Sequence, residues 1–165
     1  MDETITAIRP FAPADLVALQ EIRRAAFAPV FASFRSLVGT DIAEVAFAQA
    51  DAEQAQLLAG LCEPHGKDHV FVAEHDGTLA GFVTYSLDEK TKVGEIGLNA
   101  VHPDFGGRGI GTRLVDFAVR QMREAGMLVA SVGTGGDDSH APARRAYEKA
   151  GFGPSIPSVW MYRRL

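Results

Sequence analysis

One stretch near the middle of the chain constrains its fold more than any other: Val101-His102-Pro103-Asp104-Phe105-Gly106-Gly107-Arg108-Gly109-Ile110-Gly111-Thr112-Arg113-Leu114. An apolar, strand-like run ends at His102-Pro103. Glycines then crowd positions 106 to 111, and an amphipathic helical pattern begins among them. The start of a helix leaves backbone N–H groups unpaired, and the helix dipole adds partial positive charge there. Glycine lets such a backbone approach an anion without interference from Cβ. The turn is therefore suited to a phosphate or pyrophosphate.

Two well-known phosphate motifs fail on this stretch. The dinucleotide fingerprint G-x-G-x-x-G places Thr112 or Leu114 at its third glycine, depending on whether it starts at Gly107 or Gly109. Gly106 and Gly111 have the separation of a P-loop, but Thr112-Arg113 follow where Lys-Ser/Thr is required. An ordinary glycine-rich strand-to-helix connection is the plain alternative.

The chain has 165 residues, enough for one domain (1–165) with a substantial core, and 47% of them are hydrophobic. No run approaches the roughly 18 apolar residues of a membrane span. The start, Met1-Asp2-Glu3-Thr4, lacks the basic region of a signal peptide. Cys62 is the only cysteine, so no intrachain disulfide can form. These features lead to the expectation of a cytoplasmic protein with no membrane partner. The net charge is −5, unevenly distributed. Residues 105–150 carry seven Arg/Lys and five Asp/Glu, a balance of +2, and the remainder carries nine and sixteen, a balance of −7. A locally basic segment on an acidic chain suits an anionic cofactor and disfavours nucleic acid, which needs a wide basic surface. For individual arginines, a solvated helix face is the alternative.

No internal repeat or low-complexity linker interrupts the chain. Periodicity predicts a strand over 5–9 and a helix over 13–27 interrupted at Pro29. It predicts a second helix over 51–62, through Ala55, Leu58 and Leu61. Strands follow over 69–75 and 79–87, joined by the hairpin signal Asp76-Gly77, and then over 92–101. A helix over 109–125 stops at Gly126, and a short buried strand covers 127–132. A helix over 142–150 closes at Gly151, and a final strand or hairpin over 152–164 is interrupted by Pro154 and Pro157. The order β-α-α-β-β-β-α-β-α-β implies an α/β domain with a mixed central sheet flanked by helices.

Two segments carry a resemblance to a known family. The first runs from Asn99 to Gly111, and its Gly106-Gly107-Arg108-Gly109-Ile110-Gly111 is similar to a [Q/R]-x-x-G-x-[G/A] turn, with Gly106 at the Gln/Arg position. The second is His140-Ala141-Pro142-Ala143-Arg144-Arg145-Ala146-Tyr147-Glu148-Lys149-Ala150-Gly151-Phe152, similar to N-x-x-A-x-x-x-Y-E-K-x-G-F, with His140 in place of Asn. Together, and in this order, they resemble the GCN5-related N-acetyltransferases (GNAT) over nearly the whole chain. The resemblance implies the GNAT fold and acetyl-CoA as donor, with binding motifs over 92–126 and 127–152. It places the pyrophosphate on Gly106, Gly107, Arg108, Gly109, Ile110, Gly111 and Thr112. The pantetheine lies along Leu98, Asn99, Ala100 and Val101, with further contacts from His140 and Arg144. Tyr147 matches the general acid proposed in many members, and a tyrosine packed between helix and sheet is the alternative.

Acetyl transfer to an amine also needs a proton acceptor, because an alkylammonium with a pKa near 10.4 holds little free amine at neutral pH. Glu95, fourteen residues before Gly109, has the spacing of a strand glutamate base in the family. The alternative is a solvent-facing carboxylate near Lys90 and Lys92. Asp137 and Asp138 can bind a cationic amine or act as base, or serve as turn and N-cap residues. The segment 29–66 is where an acceptor pocket is expected, with Phe31, Phe34, Phe47 and Arg35 available to line it. His65, His69 and His75 lack a completing cysteine or carboxylate, so no metal is expected. The expected function is direct acetyl transfer in a ternary complex to a small-molecule primary amine. The alternatives are acetylation of a protein N-terminus or lysine, and a non-catalytic acyl-CoA sensor. The oligomeric state stays open, with a homodimer as one possible assembly.

Overall fold

The computed structural model describes residues 6–165. Ile5, expected to begin the first strand, and the acidic start lie outside the described residues. The elements run β1 (Thr6–Pro10), α1 (Leu16–Val38), α2 (Thr40–Ala46), α3 (Ala50–Leu61), β2 (His69–His75), β3 (Thr78–Asp88), β4 (Val93–Val101), α4 (Ile110–Glu124), β5 (Val129–Val132) and α5 (Ala141–Lys149). The five strands form one mixed sheet in sequential order, antiparallel from β1 to β4 and parallel between β4 and β5.

Strand alternation builds a core on each face. Leu19 and Ile22 of α1 and Leu58 of α3 pack on Val72, Phe82 and Ala100. Ile110, Leu114, Val115, Ala118 and Met122 of α4, with Tyr147 of α5, pack on Ala73, Val83, Tyr85 and Ile96. A buried guanidinium ties α1 to α3. Arg23 donates to Asp51 at 2.8 Å and to Gln20 and Gln54, while Gln20 donates to the carbonyl of Ala55. At the β2–β3 turn, Asp76 and Gly77 have φ of 52° and 73°, the left-handed pair that a tight hairpin requires.

Three expectations are corrected. Helix α1 does not stop before Pro29 but continues to Val38. Proline removes its own donor and crowds the carbonyl one turn back, but the apolar residues around it, Ala26, Phe27 and Val30, are packed inward. Strand β5 is not buried: it is a four-residue edge strand with Val129 57% exposed. No strand forms over 152–164, and the segment runs without regular structure. Pro154 and Pro157 lack the N–H groups a ladder needs.

The strand that matters most for function is β4. Val83 of β3 faces Asn99, and Tyr85 faces Ile96, so Gly97 and Leu98 together oppose the single residue Thr84. This is a β-bulge. Its consequence is a change of face. Before it, Gly94 and Ile96 look toward α4: a Cβ on Gly94 would lie 2.6 Å from the Met122 sulfur. After it, Leu98 and Ala100 look toward α1, and Asn99 and Val101 look toward α4 and α5. The buried Thr84 hydroxyl pins the bulge by donating to the Leu98 carbonyl at 2.9 Å. A side chain on Gly97 would lie 2.7 Å from that hydroxyl oxygen, which is why the bulge carries glycine.

Thr84→Val keeps the shape of the side chain and deletes the hydrogen bond to Leu98. It should lower stability by about 1–2 kcal/mol, read as a lower urea midpoint at unchanged m-value.

Candidate functional site

Strands β4 and β5 pair only over Val93–Ile96 and Val129–Val132. Beyond Ile96 the bulge redirects β4, and among the described residues the backbone of 97–101 on that side has no strand paired to it. The glycine turn and the start of α4 stand at the far end of β4.

The turn is organised by its own backbone. Pro103–Phe105 form one 3-10 turn, the amide of Asp104 donates to His102 Nδ1, and the amide of Gly106 donates to the carbonyl of Pro103 at 3.0 Å. Gly106 therefore spends its N–H inside the turn and is not a free donor. Gly107 and Gly109 both take φ of 75°, a left-handed conformation that favours glycine. Gly109 caps α4 without a side-chain hydrogen bond, and Arg113 makes the first helical bond back to its carbonyl. Among the described residues, nothing accepts a hydrogen bond from the amides of Gly107, Arg108, Gly109, Ile110, Gly111 or Thr112. These N–H groups and the helix dipole concentrate positive potential at one exposed spot. The Arg108 guanidinium lies 3.0 Å from His75 Nε2 and 5.5 Å from the centre of the Phe105 ring. His69 stacks on Tyr85.

Within that stretch, Asn99 donates to the Tyr147 hydroxyl oxygen at 3.0 Å and to the Gly97 carbonyl at 3.2 Å. Tyr147 is 7% exposed. Burial pushes its phenol pKa up, and the Asn99 bond offsets part of that rise. The hydroxyl thus stays protonated in neutral water, with its oxygen satisfied and its proton available. Glu95 is exposed and lies on the opposite face of the sheet, in register with Ser86 and Ser131. Without the bulge, Glu95 and Asn99 would share a face. The bulge separates the candidate base from the candidate acid.

Beyond β5, Asp137 to His140 form a compact polar group at the start of α5. Asp137 accepts at Oδ1 from His140 Nδ1 at 2.7 Å. Its Oδ2 accepts from Ser33 of α1 at 2.7 Å, from the Ser139 hydroxyl and from the Ser139 amide. Burial works against the carboxylate charge. The hydrogen bonds from Ser139, Ser33 and His140, with the His140 charge, outweigh it and hold the carboxyl far below the usual carboxylate range. Arg144 donates to the carbonyls of Gly135 and Asp137 and so braces this loop, rather than projecting freely. The His140 ring stacks on Phe34 at 5.7 Å, Phe34 meets Phe47 at 5.8 Å, and Phe47 meets Tyr162 at 5.7 Å. Arg35 donates to the Phe47 carbonyl and holds that ring's loop against α1.

The fold therefore brings Phe34, Asp137 and His140 together. Phe31 is turned toward Phe27, and Asp138 is exposed outside the network. Two members were missed in the sequence. Ser139 was detectable, because an Asp-x-Ser-His run at a helix start folds its ends together within one turn. Ser33, 104 residues from Asp137, left no sequence signal.

The model of the Acetyltransferase (GNAT) family matches residues 33–152. An uncharacterised N-acetyltransferase of Archaeoglobus fulgidus is 41% identical over 86 residues, 49% of this chain and 57% of that protein. A mycothiol acetyltransferase of Sanguibacter keddieii is 34% identical over 116 residues, 67% of this chain and 36% of that protein. The chain thus spans between about a third and three-fifths of these relatives. Among solved structures, the PaiA N-acetyltransferase of Thermoplasma acidophilum, in complex with coenzyme A, shares the fold with a TM-score of 0.71 at 18% identity, covering 93% of each chain.

The Asp137 network makes a prediction that needs no ligand. Its carboxyl titrates lower in the folded chain than unfolded, so its stabilisation is complete above about pH 4 and fades as pH falls toward the folded value. Asp137→Asn should lower Tm at pH 7 by roughly 2–4 °C for each ~1 kcal/mol lost. Thermal melts should show that gap narrowing as pH falls below about 4.

Proposed function

The chain belongs to the Acetyltransferase (GNAT) family, and on that premise we propose that it moves an acetyl group from acetyl-CoA to a primary amine of a small molecule. Transfer is by direct attack in a ternary complex. One observation carries the reading. The unpaired amides of the 107–112 turn follow directly on β4, whose residues 97–101 have no β5 partner and whose Asn99 bonds the Tyr147 hydroxyl.

These groups fit the donor chemically. Acetyl-CoA supplies an activated thioester, two negatively charged phosphate groups in tandem and an amide-bearing arm. The turn amides, with Arg108 beside them, would hold the pyrophosphate. The open backbone of Leu98 to Val101 would pair with the arm as an added strand pairs with a sheet edge. Tyr147 would donate its hydroxyl to the departing sulfur. Burial raises the phenol above its ordinary value near 10, and a thiol sits near 8.5, so complete proton transfer is uphill. Its contribution is a hydrogen bond that strengthens as charge builds on sulfur. Direct attack is favoured because the lone cysteine is a poor nucleophile: burial pushes the Cys62 thiol up to about 11, at the end of α3. The same lone cysteine, unable to form an intrachain disulfide, accords with a cytoplasmic setting.

The acceptor side supports a small cationic amine. The half-buried rings of Phe34, Phe47 and Tyr162 offer π faces, and Asp137 adds a negative charge behind them. We also propose a homodimer. Ile156, Val159, Trp160 and Met161 are 84% or more exposed, and the edge of β5 exposes Leu128 and Val129. A second copy would cover both reciprocally. Light scattering should give the dimer mass, and Trp160→Glu with Met161→Glu should give the monomer.

Incubation with acetyl-CoA and a panel of amines, followed by free thiol, tests the activity. Gly111→Glu places a carboxylate in the first turn of α4, where its Cβ meets only ordinary contacts at 3.7 Å and 4.0 Å. It should leave the fold intact and abolish coenzyme A binding in calorimetry. Tyr147→Phe should lower kcat at least about tenfold with coenzyme A affinity nearly unchanged. Binding without thiol release on any amine would identify a sensor instead of an enzyme.

A further inference from the structure

We propose that His140, oriented by Asp137, takes the proton from the acceptor amine; this rests on the acetyl-transfer reading above. A general base needs a lone pair aimed at the substrate and a partner that fixes the ring. In this chain Nδ1 faces Asp137 Oδ1 at 2.7 Å. A carboxylate there holds the proton on Nδ1 and leaves the lone pair on Nε2, for which no partner exists among the described residues.

The carboxylate itself cannot swing away. Its second oxygen is held by the hydroxyls of Ser33 and Ser139 and by the Ser139 amide, so the dyad is braced from α1 on one side and from its own turn on the other. Stacking on Phe34 fixes the plane of the imidazole ring. The same carboxyl, held far below its usual range, is a weak base in its own right. That suits it to orient and to stabilise an imidazolium.

Position supports the role. His140 caps α5 and Tyr147 lies two turns further on, so the two share one side of the helix, separated by about 10 Å along its axis. The imidazole touches Phe34, on the acceptor side, and the phenol touches Asn99, on the donor side. Glu95 offers no comparable arrangement, because among the described residues no side chain holds its exposed carboxylate.

The acceptor ammonium gives one proton to Nε2, directly or through a water, and its nitrogen gains the lone pair that forms the C–N bond. The C–S bond breaks and its electron pair leaves with sulfur. The second proton shed by the nitrogen ends on the departing thiolate, which the Tyr147 hydroxyl stabilises by a hydrogen bond while charge builds there. The products are the amide, the free thiol and an imidazolium, which returns its proton to water.

Two measurements test this. Nitrogen-15 NMR of the full chain labelled at histidine, with the His140 signal assigned by its loss in His140→Asn, should show neutral His140 protonated at Nδ1 and bare at Nε2. The opposite tautomer would overturn the proposal whatever the activity. In thiol-release assays, His140→Ala and His140→Asn should each lose about 10²-fold or more in kcat, with coenzyme A affinity held within about twofold, and Glu95→Gln should lose far less. Asn keeps a donor toward Asp137 and so controls for the lost hydrogen bond. Added imidazoles should restore His140→Ala in the order of their basicity. Thiol release by parent and His140 variants at equal rates, or rescue indifferent to basicity, would reduce His140 to a packing residue. Absence of release from the parent itself would remove the acetyl-transfer reading, and this proposal with it.

Discussion

Where Gly97 and Leu98 of β4 face the single residue Thr84, the strand gains one residue over its neighbour, and the side chains beyond that point change faces. Much of the site follows from this local irregularity. The pairing of β4 with β5 ends at Ile96, where the irregularity begins. The bulge turns Asn99 toward Tyr147 while Glu95 stays on the α1 side. Among the described residues it also leaves the backbone of 97–101 without a β5 partner. The Thr84 hydroxyl and the absence of a side chain at Gly97 hold the irregularity in place. Unpaired backbone groups are costly where they are buried from water.

Two kinds of polar group make up the candidate site, and they are prepared differently. The turn at 107–112 relies on backbone donors whose direction is set by left-handed glycines and by the helix that follows. Such donors need no rotamer to be fixed and lose little entropy when they meet an anion. The Asp137–His140 group relies on side chains, each of which has to be locked. Asp137 is fixed by three donors other than His140, and His140 by Asp137 and Phe34. The Arg144 guanidinium closes the loop by bonding two carbonyls. Electrostatic preorganisation of this kind avoids reorganisation at the moment charge moves.

Local rules made much of the fold legible. The hairpin at Asp76-Gly77, the periodic apolar face of α4 and the glycine stops at Gly126 and Gly151 each rest on short-range conformational preferences, and the structure follows them. The rules failed where packing competes with propensity. Helix α1 continues through Pro29, with apolar residues of the flanking turns packed inward. The segment 152–164 has strand-like residues but prolines at 154 and 157, and no regular strand forms there.

The sequence by itself determined the glycine turn, the helix it opens, the placement of Tyr147 on the helix after β5 and the family to which these motifs belong. Each of these is written within a dozen or so adjacent residues, where spacing alone sets geometry. Only the tertiary structure decided that Gly106 uses its own amide, that Glu95 and Tyr147 stand on opposite faces, and that Ser33 completes the Asp137–His140 pair. A bulge depends on the register between two strands, and a contact across 104 residues depends on how helices pack over a sheet. Neither has a local signature, because the energy that fixes them comes from partners distant in the chain.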